Sequence, residues 1–297
     1  MTGEAAESGH TNAPRPQTGP GGKASFADIY NQATPRAYFS ALRPLSYATP
    51  ERAQPIVRRC VETLRRQRQL ETVTVLDLCA GYGVNSALLK HDLSLEELYQ
   101  RFTAPQVHLP PAKSIAADAD WFRESRRNDL PVRVIAQDVA AKALDYAHRV
   151  GLADETLPLN LEEKELEEGQ ADLLRDVDLI VVTGGISYIG KRTFSRVLGA
   201  CRRSPWALYF PLRHSDSQSI DSLFEQAGYK VEVSRRAVAH RRFESPQEQR
   251  RIRSRILARS EPRMTPPSWT YLEAMLKLAL PKEDCRLLSF ESMIDRH

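Results

Sequence analysis

The sequence has 297 residues, 41% of them hydrophobic, with 42 Lys+Arg against 38 Asp+Glu and a net charge of +4. That composition supports a core of ordinary size. Its near-balance of charge argues against a nucleic-acid coat while leaving a small charged substrate open. Mean hydropathy is −0.45, and no run approaches the roughly 18 apolar residues that cross a bilayer, so no membrane partner is expected.

Residues 1–24 are rich in Gly, Pro, Ala, Thr and Ser and read as a disordered tail. They lack the apolar stretch of a secretory signal. The cysteines Cys60, Cys79, Cys201 and Cys285 are too scattered for a zinc or disulfide framework, so a reducing, cytoplasmic location is expected. Residues 25–70 read as an N-terminal helical lid. Its first half is dense in aromatics and broken by Pro35 and Pro44. Its second half is a helix with Ile56, Val57, Cys60, Val61 and Leu64 at helical spacing and arginines on the other face.

Residues 71–244 alternate strand-like and helix-like segments. Strands are expected at Val73–Leu78, Val132–Ala136, Thr156–Leu161, Asp178–Thr183, Trp206–Leu212 and Tyr229–Ser234. Helices are expected from Ser86, over Ala140–Val150, Lys191–Cys201 and Ser217–Ala227, with Gly151 and Gly228 as stops. This rhythm predicts βαβ units and a mostly parallel sheet. An insertion, residues 90–130, holds two helical segments, Leu93–Phe102 and Ala116–Arg126. The Glu-rich stretch Glu162–Glu168 reads as a solvated loop or helix start. Residues 245–297 read as a C-terminal helical extension, with helices at Gln249–Arg259 and Trp269–Leu280. The last strand is either Ala237–Phe243 or Cys285–Phe290.

The chemically informative stretch is VLDLCAGYGVNS, residues 75–86. An apolar strand ends in Asp77, a tight turn follows at Gly81 and Gly83, and a helix opens with Asn85 near its start. Glycines allow positive φ and close approach of a ligand. The helix N-terminus offers free N–H groups. A dinucleotide site prefers a small third residue where Ser86 stands, and a carboxylate at Asp77 suits a cation better than a pyrophosphate.

On Val75, Leu76, Asp77, Gly81, Tyr82 and Gly83 the chain resembles the class I S-adenosylmethionine-dependent methyltransferases. The resemblance implies a Rossmann-like fold with a mostly parallel seven-stranded sheet and S-adenosylmethionine as cosubstrate, without a metal. It implies that Asp77, Gly81, Tyr82, Gly83 and Asn85 receive the cosubstrate and that Asp138 holds the ribose. It further implies that Val139 packs on adenine, that Asn160 or Leu161 meets the adenine amine, and that Thr183, Gly184 and Gly185 surround the sulfonium. Asp77 and Asp138 are 61 positions apart, against about 20 in the usual pair; the insertion accounts for the gap.

An (N/D)PP(Y/F) tetrapeptide is absent, since TGGISY follows the fourth strand. DNA or protein-glutamine methylation is therefore not expected, and no nucleic-acid partner is. Aromatic faces can stabilise a sulfonium. The candidates are Tyr30, Tyr38, Tyr47, Trp121 and Tyr188, with Tyr188, Tyr30 and Tyr38 assigned to catalysis. His214 is the one histidine placed as a general base. The expected function is methyl transfer to a small molecule in bacterial natural-product biosynthesis. The whole chain is also similar to the azetidine-2-carboxylate synthases, which implies cyclisation of the cosubstrate with release of methylthioadenosine. A non-catalytic module binding S-adenosylmethionine or nucleic acid is the third possibility.

Overall fold

A computed structural model describes residues 17–18, 24–25, 27–105, 110–258, 265–267, 269–287 and 290. Most of the predicted tail lies outside these residues, though within it Gln17–Thr18 pairs antiparallel with Ala24–Ser25.

The helices that precede the central sheet are α1 (Ala27–Tyr30), α2 (Arg36–Leu42) and α3 (Thr49–Gln67). The first central strand, β1 (Val73–Leu78), is buried at every position, as expected of an apolar run flanked by strands and covered on both faces. There follow α4 (Val84–Lys90), α5 (Leu95–Thr103), α6 (Pro111–Glu124), β2 (Val132–Gln137), α7 (Ala141–Arg149) and β3 (Glu155–Leu157). The chain continues through α8 (Glu168–Leu174), β4 (Leu179–Val182), α9 (Lys191–Ala200), β5 (Trp206–Tyr209) and α10 (Gln218–Gln226). It ends with β6 (Tyr229–Arg242), α11 (Pro246–Leu257) and β7 (Tyr271–Pro281).

The seven strands lie in the order β3-β2-β1-β4-β5-β7-β6. The first five are parallel to one another, and β7 pairs antiparallel with both β5 and β6. This is the Rossmann-like, mostly parallel seven-stranded sheet expected from the sequence. The strand order reverses between β1 and β4, and that switch point is where such sheets bind ligands.

α3 turns Ile56, Val57, Cys60, Val61 and Leu64 onto one face of the sheet, against Val75, Leu179, Trp206 and Leu276. It is a core helix, so only α1, α2 and the turn after them form a cover. The opposite face carries Phe194, Val197, Ile220 and Phe224. The insertion folds as α5 and α6, capped at α5 by a Ser94–Glu97 capping box. It packs on the cover: Phe39 stacks on Phe102 at 4.9 Å and Tyr99 Oη donates to the Tyr47 carbonyl at 3.0 Å.

The C-terminal reading is corrected. Trp269–Leu280 is not a helix; Tyr271–Pro281 is β7, which fills the gap between β5 and β6. Its Leu, Ala, Met, Glu and Lys residues are strong helix formers. Burial between two strands overrides that preference. Ala237–Phe243 falls largely in the second half of β6, which bulges between Val233 and Ala237. Asp284–Leu287 is a 3-10 turn rather than a strand. The extension is therefore not purely helical, and the sheet is incomplete without it. No helix among the described residues is long and apolar enough to cross a membrane.

Candidate functional site

β1 delivers Asp77 to the C-terminal edge of the sheet, where its side chain is buried. Asn85, in the first turn of α4, donates from Nδ2 to Asp77 Oδ1 at 2.7 Å. Thr183, at the end of β4, donates to Asn85 Oδ1 at 3.0 Å, which fixes the orientation of the amide. Asp77 Oδ2 is buried without a hydrogen-bond partner among the described residues. Burial raises the Asp77 pKa to about 7, the Asn85 bond opposes that rise, and the nearby Asp138 adds to it. A cation placed against Oδ2 would reverse the burial effect and complete the site.

The turn between β1 and α4 is held by positive φ at Cys79 (56°), Gly81 (52°) and Gly83 (78°). Cys79 has no glycine's freedom there, and such strain gathers at functional sites. A Cβ at Gly81 would come to 3.4 Å from the Tyr30 ring, so the turn passes close beneath the cover. Gly83 serves differently from expectation. It stands behind the turn, where a Cβ would lie 3.2–3.3 Å from Leu152 and Ala147, and it lets α4 pack against α7 rather than lining a cavity.

Asp138 follows β2. Its Oδ2 accepts from Gly81 N–H at 2.9 Å and its Oδ1 from Ala140 N–H at 2.9 Å. Each oxygen keeps a lone pair, enough to receive a diol. Val139 beside it is 65% exposed, an apolar face presented to whatever enters.

These groups border one cavity of about 550 Å³, within the usual range for a small-molecule site. Gly81, Tyr82, Asn85, Asp138, Val139, Asn160 and Leu161 line it. So do Thr183, Gly184 and Gly185, and Tyr30, Tyr38, Tyr47 and Tyr188 close its far side. Asp77 lies just beneath. A Cβ at Gly185 would overlap the Cys79 side chain, and one at Gly184 would overlap the Tyr47 hydroxyl. The diglycine after β4 is thus required by close packing on both sides. Burial holds the Tyr30 and Tyr38 phenols well above their ordinary pKa, so both remain neutral.

The cover is tied to the turn by Tyr82. Its hydroxyl accepts from Gln32 N–H at 2.9 Å and shares its hydrogen between the Ile29 and Gln32 carbonyls, each at 3.1 Å. Asn31 Oδ1 accepts from Lys142 N–H at 3.0 Å, at the start of α7. Trp121 does not reach the cavity. It packs edge-on to Phe102, with the Arg101 guanidinium 5.0 Å over its ring, and braces the insertion.

Sequence reasoning missed several groups. Gln137 lines the cavity, and its side chain donates to the Leu159 carbonyl at 2.6 Å. Glu162, read as part of a solvated run, anchors the loop after β4: its Oε1 accepts from Gly190 N–H at 2.7 Å and from the Thr193 backbone and hydroxyl at 3.0 and 2.7 Å. A lone Gln at a strand end, or one Glu among many, carries no local signal for either role.

Neither a family model nor a curated protein matches the chain. Solved structures with which it shares similarity include a TehB-like SAM-dependent methyltransferase from Corynebacterium glutamicum (13% identity, 75% of this chain and 88% of that one, TM-score 0.39). Another is the plantazolicin methyltransferase BpumL in complex with SAH (8% identity, 86% and 96%, TM-score 0.40). A third is the magnesium protoporphyrin IX methyltransferase from Synechocystis with bound SAM (12% identity, 76% and 78%, TM-score 0.35). These are loose likenesses.

Proposed function

We propose that this protein is an S-adenosylmethionine-dependent methyltransferase acting on a small molecule. The observation that carries the reading is the buried Asp77 carboxylate, with one oxygen engaged by Asn85 and the other unpartnered beside the cavity floor. A buried carboxylate is costly unless a cation completes it, and the α-ammonium of S-adenosylmethionine is such a cation. Asp138 would hold the ribose hydroxyls and Val139 would cover the adenine. The backbone at Gly81 and Gly184–Gly185 would border the bound cosubstrate. The tyrosine faces would lie along the methionine arm, where neutral π-systems favour a sulfonium without competing as nucleophiles.

Bound there, the cosubstrate supplies a methyl group on a positive sulfur, which leaves as a neutral thioether once an acceptor lone pair has taken the methyl carbon. The residues need only align the partners and exclude water. A second reading, closure of the cosubstrate's own amine onto its side chain with loss of methylthioadenosine, would use the same tyrosine wall to hold the sulfonium. It requires the amine to lose a proton.

Two measurements test these readings. Calorimetry with S-adenosylhomocysteine should give saturable heat that Asp77→Asn removes; no heat with the unaltered protein overturns both. Incubation with S-adenosylmethionine alone should yield no methylthioadenosine above the enzyme-free control if methyl transfer is correct, and its formation together with an equal amount of azetidine-2-carboxylate establishes cyclisation instead.

A further inference from the structure

A second cavity of about 460 Å³ opens on the other side of the tyrosine wall. Tyr30, Tyr47, Tyr188, Gly184 and Ile189 border both spaces. Beyond them the second cavity is built from the loop after β5, from β6 and from α11.

Its charges differ from those of the first. The cosubstrate cavity is bordered by the carboxylate of Asp138 and by no Lys or Arg among the described residues. The second is bordered by three guanidiniums, Arg241, Arg251 and Arg255, against the carboxylates of Asp216 and Glu248, which leaves one net positive charge. Both carboxylates are engaged by donors of the protein. Glu248 takes Arg241 in a two-point bond, at 2.7 Å (Oε1 to Nη2) and 3.1 Å (Oε2 to Nη1), and accepts Glu244 N–H at 2.8 Å. Asp216 Oδ1 accepts Gln218 N–H at 2.9 Å at the start of α10.

His240 at the inner end does not alter this balance at neutral pH. Its Nδ1 lies 2.8 Å from Thr49 Oγ1, and burial, with Arg241 and His214 nearby, lowers its pKa to about 3. Arg251 and Arg255 are one helical turn apart on α11, so they share a face. Leu42, Ile186, Leu212, Ile252 and Leu272 supply apolar wall.

We propose that this second cavity is the acceptor site, and that it takes small molecules with an apolar body and a single carboxylate held by Arg251 and Arg255. The inference rests on the methyltransferase reading in naming the occupant an acceptor; the carboxylate preference stands on the cavity alone. One positive charge matches a monoanion. The two spaces would then sort their occupants by charge, cation on one side of the tyrosines and anion on the other.

The test compares three acids, 4-hydroxybenzoate, indole-3-acetate and octanoate, each with its own methyl ester. Binding to the full-length protein is followed by calorimetry with and without saturating S-adenosylhomocysteine. At least one acid should bind about fivefold or more tightly than its ester, the scale of a charged contact partly open to water. The preference should vanish in the Arg251→Gln/Arg255→Gln double variant. It should survive in Arg253→Gln, whose guanidinium lies 5.2 Å over the Trp269 ring on the same helix. S-adenosylhomocysteine should bind the double variant as it binds the parent, which separates loss of the site from loss of the fold. The proposal is overturned if no acid outbinds its ester, if the preference survives the double substitution, or if the acid and S-adenosylhomocysteine displace one another. Failure of S-adenosylhomocysteine to bind at all sinks the methyltransferase reading, while the acid–ester comparison still decides the carboxylate site.

Discussion

The two cavities share a wall yet are made from different materials. The floor of the first is largely backbone and short polar side chains: the turn at Cys79–Gly83, the diglycine after β4 and the Asp77–Asn85–Thr183 chain. The second is walled by long side chains of β6 and α11, with Arg241 and Glu248 locked together. A floor of backbone holds its shape through many sequence changes but tolerates none at its glycines. A wall of long side chains can change its preference one residue at a time. The first cavity is therefore suited to an invariant cosubstrate and the second to a variable partner.

The sharpest way to break this contrast is at Asp77. Asp77→Asn should weaken S-adenosylhomocysteine binding by two orders of magnitude or more, about 3 kcal/mol for removing one partner of a buried charge pair, read by calorimetry. The same change should stabilise the unliganded protein. A carboxyl with a folded-state pKa of about 7, against its ordinary 3.8, keeps a proton that the unfolded chain releases. Its stability contribution is present below about pH 4 and lost as pH rises through about 7. Chemical denaturation at pH 8 should show Asp77→Asn ahead of the parent by a few kcal/mol, and no gain would mean that the burial argument is wrong.

Gly185→Ala comes next. Its Cβ would overlap Cys79, so the midpoint of thermal unfolding should fall by the equivalent of about 2 kcal/mol, typical of overpacking. Ligand binding should fall with it. Arg255→Ala in the second cavity should leave the midpoint nearly unchanged, and an equal loss there would erase the distinction between backbone floor and side-chain wall.

Affinity for S-adenosylhomocysteine should also rise with pH, approaching tenfold per unit below about pH 7, because Asp77 must release its proton to meet an ammonium. Calorimetry in two buffers of different ionisation enthalpy would show that proton leaving, and a flat profile would remove Asp77 from the ammonium contact.

The smallest expected effect is at the cover. Tyr82→Phe loses the bonds to Ile29 and Gln32, about 1 kcal/mol. It should quicken amide exchange around residues 29–32 and ligand release while leaving global stability close to the parent.

Much of the first cavity was legible because its chemistry is compressed into short segments. An apolar strand ending in Asp77, glycines at 81 and 83 and an Asp ending the second strand impose a geometry almost regardless of the remainder. Tyr30, Tyr38, Tyr47 and Tyr188 were legible only as aromatics in segments free to cover the site, a criterion that Trp121 met equally while packing elsewhere. Gly83 looked like its neighbour Gly81, yet its role is decided by Leu152 and Ala147, far along the chain. β7 was hidden by its composition, since helix formers become a strand only between two partners. Of the second cavity, which joins Tyr30 to Arg255, only Tyr30, Tyr47, Tyr188 and His214 were legible as candidates, and its arginines were not. Its walls come from the cover, the loops after β4 and β5, β6, α11 and β7, and only assembly brings them together.

One thread runs between the two spaces. The Tyr47 hydroxyl sits against the backbone of Gly184, next to Thr183, which donates to Asn85 as Asn85 donates to Asp77, and Tyr47 is also a wall of the second cavity. An occupant that shifts Tyr47 disturbs the grip on the other occupant, and thermodynamic reciprocity makes the disturbance equal in both directions. One phenol would then set how strongly either guest feels the other.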